Sequence, residues 1–349
     1  MSERRVAWGV AGAGGIARRR TIPEGIVPAG NARLAAVYDV DPEVNRQVAE
    51  RYGARAAASL EDLLGPDVEA VYVASPVYAH REQVVACARA GKHVLCEKPL
   101  GLTVAEAEEA VRACRKAGVL LGTAFMMRFH AQHQAALALI REGRLGKPVY
   151  ARAQLSCWYP PIEGAWRQDP ELGGGGSLMD MGGHCLDLLE MFFGRVRRLG
   201  CCTARAVHGY AVEDGATVLL EFAAGALGTV DVFFSIPDEA SDNVLELYGS
   251  RGAILARGTI GQGDRGFMVA RLREEEAGYD ARQAREAAAG MEIAPAPVNT
   301  YRAEIEAFGR AVLEGCEPPV TGEDGLRNQR LLAACYESAR TGRIVEVES

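Results

Sequence analysis

From Val6 to Ala124 the chain alternates short apolar runs with amphipathic segments. The runs Val6–Val10, Leu34–Val37, Val68–Ala74, His93–Cys96 and Val119–Ala124 have strand length and read as buried strands. The segments between them read as helices, and two of these begin at recognisable caps. Asp41-Pro42-Glu43 puts a side-chain acceptor before a proline at the first helical position. Thr103-Val104-Ala105-Glu106 has the capping-box pattern. Strands alternating with helices imply right-handed crossovers and a parallel sheet covered on both faces. Residues 1–125 are therefore expected to form an N-terminal doubly wound α/β domain.

After Phe125 the rhythm changes. A helix over 131–142 should end at Gly143, and a long strand follows over 149–157. The glycine run Gly173–Gly176 precedes a helix over 178–193. Strands without helices come next: 196–207, 217–222, 227–235, 244–248, 253–257 and 267–272, with Ala223-Ala224-Gly225-Ala226 as a hairpin turn. Glu274–Pro297 reads as a surface excursion, part helical, and helices over 301–313 and 323–341 close the chain. Residues 126–349 are expected to form an α+β domain with a large, mostly antiparallel sheet, and the closing helices are candidates to pack back on the first domain. Few helices are left to cover that sheet. The stretches Val218–Leu220 and Val232–Phe234 suggest an open apolar face, hence a homodimer or homotetramer.

A length of 349 residues suits two domains, and 48% hydrophobic with 24% charged residues is ordinary for a globular chain. The net charge of −7 argues against nucleic acid or an anionic membrane as partner. No apolar stretch is long enough to span a membrane. MSERRVAWGV runs straight into a strand pattern and leaves no room for a signal peptide. Nine scattered cysteines without a C-x-x-C pair fit reduced thiols and a cytoplasmic location.

The first strand leads into Gly12-Ala13-Gly14-Gly15-Ile16-Ala17, a G-x-G-x-x-A between a strand and a helix. Gly12 permits a tight turn, Gly14 lets backbone approach a pyrophosphate, and the small Ala17 lets helix and strand pack closely. The helix start from Gly15 and Ile16 offers N–H groups and a positive dipole end to the phosphates. Asp39 ends the second strand 22 residues after Ala17, where an acid binds the adenosine ribose hydroxyls. Its alternative role, capping the next helix, suits Asp41 better. A carboxylate at the ribose and Val40 after it favour NAD over NADP. Arg18, Arg19 and Arg20 keep NADP possible.

Ligands of such sheets bind outside the carboxyl ends of the strands. Ser75-Pro76 and Cys96-Glu97-Lys98-Pro99 lie at two such ends. Pro99 biases Lys98 toward an extended conformation that can aim its side chain into the crevice. A lysine desolvated there can exchange a proton. The bland alternative is a surface lysine paired with Glu97. A second constellation lies in GGGGSLMDMGGHCLDLLEMFFG, where Asp180, His184 and Asp187 share one helical stripe. A carboxylate orienting an imidazole serves acid–base chemistry. Gly182 and Gly183 inside the helix make sense if something approaches it closely. Asp180 as a cap with His184 as a satisfied core histidine is the structural alternative. A metal site of Asp180, His184 and Asp187 is disfavoured, because no further His or Cys shows ligand spacing.

With these motifs the chain resembles the Gfo/Idh/MocA oxidoreductase family, which includes glucose–fructose oxidoreductase and inositol dehydrogenase. The likeness covers nearly the whole chain. It is carried by the glycine loop, Ser75-Pro76 with His80, Glu97-Lys98-Pro99, Trp166-Arg167, and Gly173–Gly176 followed by Asp180, Gly182, His184 and Asp187. The resemblance implies that Lys98 and His184 are catalytic and that Asp180 assists. It implies hydride transfer between a nicotinamide and a carbinol carbon of a sugar or cyclitol. It places Ser75, Pro76, His80, Glu97 and Lys98 at the cofactor, with Trp166 and Arg167 closing over nicotinamide or substrate. Arg128-Phe129 resembles the R-F that opens the second domain. The chain departs from many relatives in having Ser75 where threonine or asparagine is common, and Val40 where arginine follows the ribose acid. A glycoside hydrolase that oxidises its sugar transiently, and a non-catalytic NAD-binding regulator, are the competing functions.

Overall fold

The computed structural model describes residues 4–274, 278–279, 281 and 290–348. The chain divides into two compact units: Met1–Met126 with Gly164–Gly174 and Asn299–Arg330, and Met127–Glu163 with Gly175–Val298 and Leu331–Ser349.

The first unit holds a six-stranded sheet of β1 (Val6–Ala11), β2 (Ala32–Tyr38), β3 (Arg55–Ala56), β4 (Ala70–Val73), β5 (His93–Glu97) and β6 (Leu121–Ala124), in the order β3-β2-β1-β4-β5-β6. Every pairing is parallel. The strand order reverses between β1 and β4, the place where open α/β sheets bind ligands. All residues of β1, β4 and β6 are buried, as a sheet covered on both faces requires. On one face Val71, Val73, Val94 and Cys96 pack with the helices His80–Arg89 and Val104–Ala117. On the other, Trp8, Val10, Tyr72 and Leu95 pack with Ala17–Ile26 and with Ile305 and Phe308 of Thr300–Glu314.

The expected caps form. Asp41 accepts from Glu43 N at 2.9 Å and Val44 N at 3.3 Å. Thr103 Oγ1 accepts from Glu106 N at 3.2 Å, while Glu106 reaches Leu102 N at 2.8 Å, one residue before the position a capping box uses. The segment Ala17–Ile26 after the glycine loop is π-helical and contains Pro23. Such wider turns are rare and cluster at functional sites.

The second unit holds a nine-stranded sheet: β7 (Pro148–Ser156), β8 (Val196–Ala204), β9 (Gly215–Phe222), β10 (Leu227–Phe233), β11 (Val244–Gly249), β12 (Gly252–Arg257), β13 (Phe267–Leu272), β14 (Met291–Glu292) and β15 (Val345–Glu346). Its order is β14-β13-β12-β11-β7-β10-β9-β8-β15. Only β7 and β10 pair in parallel among these strands. Phe222 N bonds Ala226 O at 2.9 Å and closes the β9–β10 hairpin. Of the excursion expected over Glu274–Pro297, residues 275–277, 280 and 282–289 lie outside the described residues. Met291–Glu292 adds the edge strand β14.

The helix Gly183–Phe193 packs on β7 and on the helix Ala131–Arg141. The expectation of an open face made of Val218–Leu220 and Val232–Phe234 is corrected here. Val218, Leu220, Val232 and Phe234 are buried, while Leu219 is 63% exposed. Side chains alternate along a strand, so a continuous apolar stretch splits between two faces. The outward face carries Tyr150, Thr217, Leu219, Thr229 and Asp231 together with Arg152, which is ion-paired to Asp231 at 3.3 Å.

None of the nine cysteines forms a disulfide. No helix among the described residues is long and apolar enough to cross a membrane.

Candidate functional site

The glycine loop is shaped by contacts that leave no room for side chains at one end and open space at the other. Gly12 has φ +81°, and a Cβ there would lie 2.5 Å from Ser75 N. Its N–H bonds Tyr38 O at 2.8 Å, which ties the loop to the end of β2. Gly14 N donates to Asp39 Oδ2 at 2.8 Å, and Asp41 N donates to Asp39 Oδ1 at 3.0 Å. Asp39 therefore braces the loop, while Asp41 caps the following helix. Gly15, with φ +42°, is exposed, and a Cβ there would meet nothing within 4 Å. Ile16 precedes the π-helical segment, and Ala17 is fully buried as the small packing residue. Open space at Gly15 and a half-exposed carboxylate at Asp39 fit a dinucleotide over the helix start.

At the ends of β4 and β5, Ser75, Pro76, Glu97 and Lys98 are half-buried. The Lys98–Pro99 peptide bond is cis. His80 is 1% exposed. Its Nδ1 lies 2.8 Å from Pro99 O and its Nε2 2.8 Å from Ser75 O. Both partners are carbonyl acceptors, so the single N–H of the neutral ring serves one of them at a time, and the ring sits buried between the β4 and β5 ends. Burial holds the imidazole below its ordinary range, against the pull of the two carbonyls. The Glu97 carboxyl accepts from the Tyr72 hydroxyl, which in turn lies 2.9 Å from Thr21 Oγ1. Burial pushes Glu97 above the usual carboxylate range, although Tyr72 and the Lys98 cation oppose it. The Arg167 guanidinium stacks 4.1 Å over the Trp166 ring. Arg167 is also close enough to act electrostatically on Glu97 and His80. The first unit thus gathers Ser75, His80, Glu97, Lys98 and Arg167 at the carboxyl ends of β4 and β5.

Asp180 and His184 lie in the second unit, both half-buried. The helix that bears them begins as a π-helical stretch, Leu178–Gly182, and becomes α-helical over Gly183–Phe193. Arg128 Nε and Nη2 bind the two oxygens of Asp187 at 2.8 and 2.5 Å. This is a buried, bidentate ion pair, so Asp187 anchors the helix to the start of the unit. Among the described residues no group of three or more His, Cys, Asp or Glu is arranged to hold a metal. What approaches Gly182 is the chain's own Leu178 side chain, whose Cδ1 would lie 2.8 Å from a Cβ at that position.

Two important side chains, Glu213 and Tyr336, had no signal in the sequence. Glu213 precedes β9, and its Oε1 accepts from Gly176 N at 2.9 Å, Leu178 N at 3.0 Å and the Tyr336 hydroxyl at 2.9 Å. Burial pushes its carboxyl above the usual range despite these donors. No local pattern marks a helix cap supplied from 35 residues away.

The geometry agrees with comparisons against known proteins. Residues 6–125 match the oxidoreductase family, NAD-binding Rossmann fold, and residues 138–347 match the oxidoreductase family, C-terminal alpha/beta domain. The 1,5-anhydro-D-fructose reductase of Ensifer adhaerens is 32% identical over 98% of both chains. The D-xylose 1-dehydrogenase (NADP(+)) 2 of Haloferax volcanii is 32% identical over 98% of this chain and 99% of its own. A solved aldose-aldose oxidoreductase from Caulobacter crescentus, complexed with glycerol, aligns with TM-score 0.87 and 29% identity over 99% of this chain and 100% of that one. The chain belongs to the GFO/IDH/MocA oxidoreductase family, with its NAD-binding Rossmann domain first.

Proposed function

We propose that the protein moves a hydride between the nicotinamide of NAD(P) and a carbinol or keto carbon of a sugar, cyclitol or related polyol. The observation that carries this is the placement of the glycine loop with Asp39, and of Glu97-Lys98, at the carboxyl ends of one parallel sheet about its switch point. When bound, the nicotinamide accepts or returns the hydride. The loop from Gly12 to Ala17 holds the pyrophosphate, and Asp39 meets the ribose hydroxyls. Lys98 exchanges the proton on the substrate oxygen, and Ser75, Pro76, Trp166 and Arg167 border the nicotinamide end. His184 moves a proton, with Asp180 orienting the ring or the substrate.

The test is a panel of sugars, cyclitols and their keto forms with both cofactors, followed by variants. Lys98→Met should keep NAD affinity and lower kcat by about 10²–10⁴-fold, and His184→Ala should do likewise. If both serve one proton, their losses fall far short of additive in the double variant. Near wild-type kcat in Lys98→Met on the true substrate would end the claim for this lysine. Glycoside cleavage without net NADH would favour the hydrolase instead.

A homodimer or homotetramer through the outward face of the second sheet is a further reading, resting on the exposed Leu219 and on Tyr150 and Tyr248 in ring contact at 5.9 Å. A monomer by light scattering across working concentrations would refute it. Six cysteines are buried thiols, which suits a cytoplasmic location.

A further inference from the structure

We propose that Glu213 and Tyr336 form a positioning device that sets the helical segment bearing Asp180 and His184; this rests on the roles given to those two residues above. Three successive N–H groups at the start of that segment end on Glu213. Gly176 N and Leu178 N reach its carboxylate, and Ser177 N reaches its carbonyl at 3.1 Å. Tyr336 adds a hydroxyl donor to the same carboxylate oxygen at 2.9 Å. Gly176 is held from both sides, because its own carbonyl accepts from Asp180 N at 3.0 Å. Two hydrogen bonds therefore link the Glu213 carboxylate to the Asp180 backbone.

The second half of the glycine run is explained by this device. A Cβ at Gly175 would lie 1.9 Å from Tyr336 Oη, and one at Gly176 would lie 2.0 Å from Glu213 O. Local capping was available without a buried carboxylate. Ser177 stands at the right place, yet its hydroxyl turns to Val232 O at 3.4 Å. A buried carboxylate is costly unless fully hydrogen-bonded. What the remote cap adds is register: it fixes the start of the helix to the strand side of the unit and to the last helix. The π-helical turn Leu178–Gly182 begins immediately after it and sets the angle between Asp180 and His184. Release of the three N–H groups would let that turn relax and swing the two side chains apart.

The test uses the intact protein saturated with NAD. Ring-labelled histidine NMR follows the six histidines, with His184→Asn assigning its signal and His80 and His93, in the other compact unit, as internal references. In Glu213→Gln and Tyr336→Phe the His184 signals should move while those references stay, with NAD affinity unchanged within about twofold. On a substrate found by the panel, kcat should fall about ten- to a hundredfold with KM nearly constant. Tyr336→Phe is the milder change and covers the case in which Glu213→Gln folds poorly. His184 signals that coincide with wild type in both variants, with only the melting temperature lowered, would overturn the proposal. A moved His184 signal in a protein whose His184 variants remain active would uphold the positioning and refute the catalytic role of the histidine.

Discussion

The molecule has two glycine clusters, and they do opposite things. At Gly12–Gly15 the last glycine faces open space, with nothing within 4 Å of a Cβ position. At Gly175 and Gly176 the space is already taken by Tyr336 and Glu213. In the proposed function the first cluster leaves room for the phosphates of the cofactor. The second makes room for the protein's own cap and hydroxyl. Glycine runs of similar appearance in a sequence therefore carry different information, and only the neighbours reveal which.

A pair of alanines tests this contrast most directly. Gly176→Ala drives a Cβ into a backbone oxygen 2.0 Å away, which no rotamer change relieves. It should lose roughly 3 kcal/mol or more of stability, or fail to fold. Gly15→Ala should lose only about 1–2 kcal/mol, from its left-handed backbone. Its main loss should be NAD affinity. Melting temperature and NAD titration on both variants read the two effects separately. A Gly15→Ala protein that binds NAD as wild type does would remove the ligand from the first cluster.

A smaller effect distinguishes the two carboxylate–tyrosine pairs. Glu97 with Tyr72 and Glu213 with Tyr336 are both pushed above the usual carboxylate range by burial. An acid with a raised folded-state pKa favours folding below its ordinary value, and that advantage is lost as pH rises through the folded value. Glu97→Gln removes the titration. Relative to wild type, it should therefore gain stability as pH rises above the ordinary carboxylate value of about 4. Glu213→Gln should show the same trend, offset by the weaker acceptor it offers to three donors. Denaturant unfolding across that range measures both. A gap between wild type and Glu97→Gln that is flat with pH would show that the carboxyl does not titrate there.

The sequence was readable where the determinants are local. The runs Val6–Ala11 and His93–Glu97 are apolar strands bounded by turn residues, and Asp41 and Thr103 cap their helices as their spacing implies. The glycine loop and its acid sit together because both follow adjacent strands. What the sequence hid was tertiary. Asp187 fits the stripe with His184, and the spacing gives no sign that Arg128, 59 residues away, binds its carboxylate. His80 is read from its motif as a cofactor contact, and what the motif does not show is that both ring nitrogens lie 2.8 Å from main-chain carbonyls. The π-helical turns carry no local signature, and nothing around Glu213 signals that it caps a helical segment starting 35 residues earlier in the chain. The apolar stretch at Val218–Leu220 misled because a run of apolar residues conceals its alternation between faces.

The mildest of these effects concerns cofactor choice, and it bears on what the first cluster is for. Asp39 braces Gly14 N at 2.8 Å, and in the proposed function its charge also meets the adenosine ribose. NAD should bind more tightly than NADP, because a carboxylate repels the extra phosphate, and Val40 offers no cation. A repulsion of about 1 kcal/mol, as between unit charges some 4 Å apart in water, corresponds to roughly fivefold in affinity. Asp39→Ala should narrow the gap but also weaken NAD, since the loop loses its brace. Asp39→Asn separates the two tasks. It removes the charge while keeping one oxygen to accept from Gly14 N, although Asp41 N then loses its acceptor. The asparagine variant should therefore approach equal affinity for NAD and NADP with less loss of NAD binding than the alanine variant. Titration of both cofactors against the three proteins decides it. Tighter binding of NADP by the wild type would refute the preference, and it would shift attention to the exposed Arg18, which donates to Gln47 at 3.0 Å on the neighbouring helix.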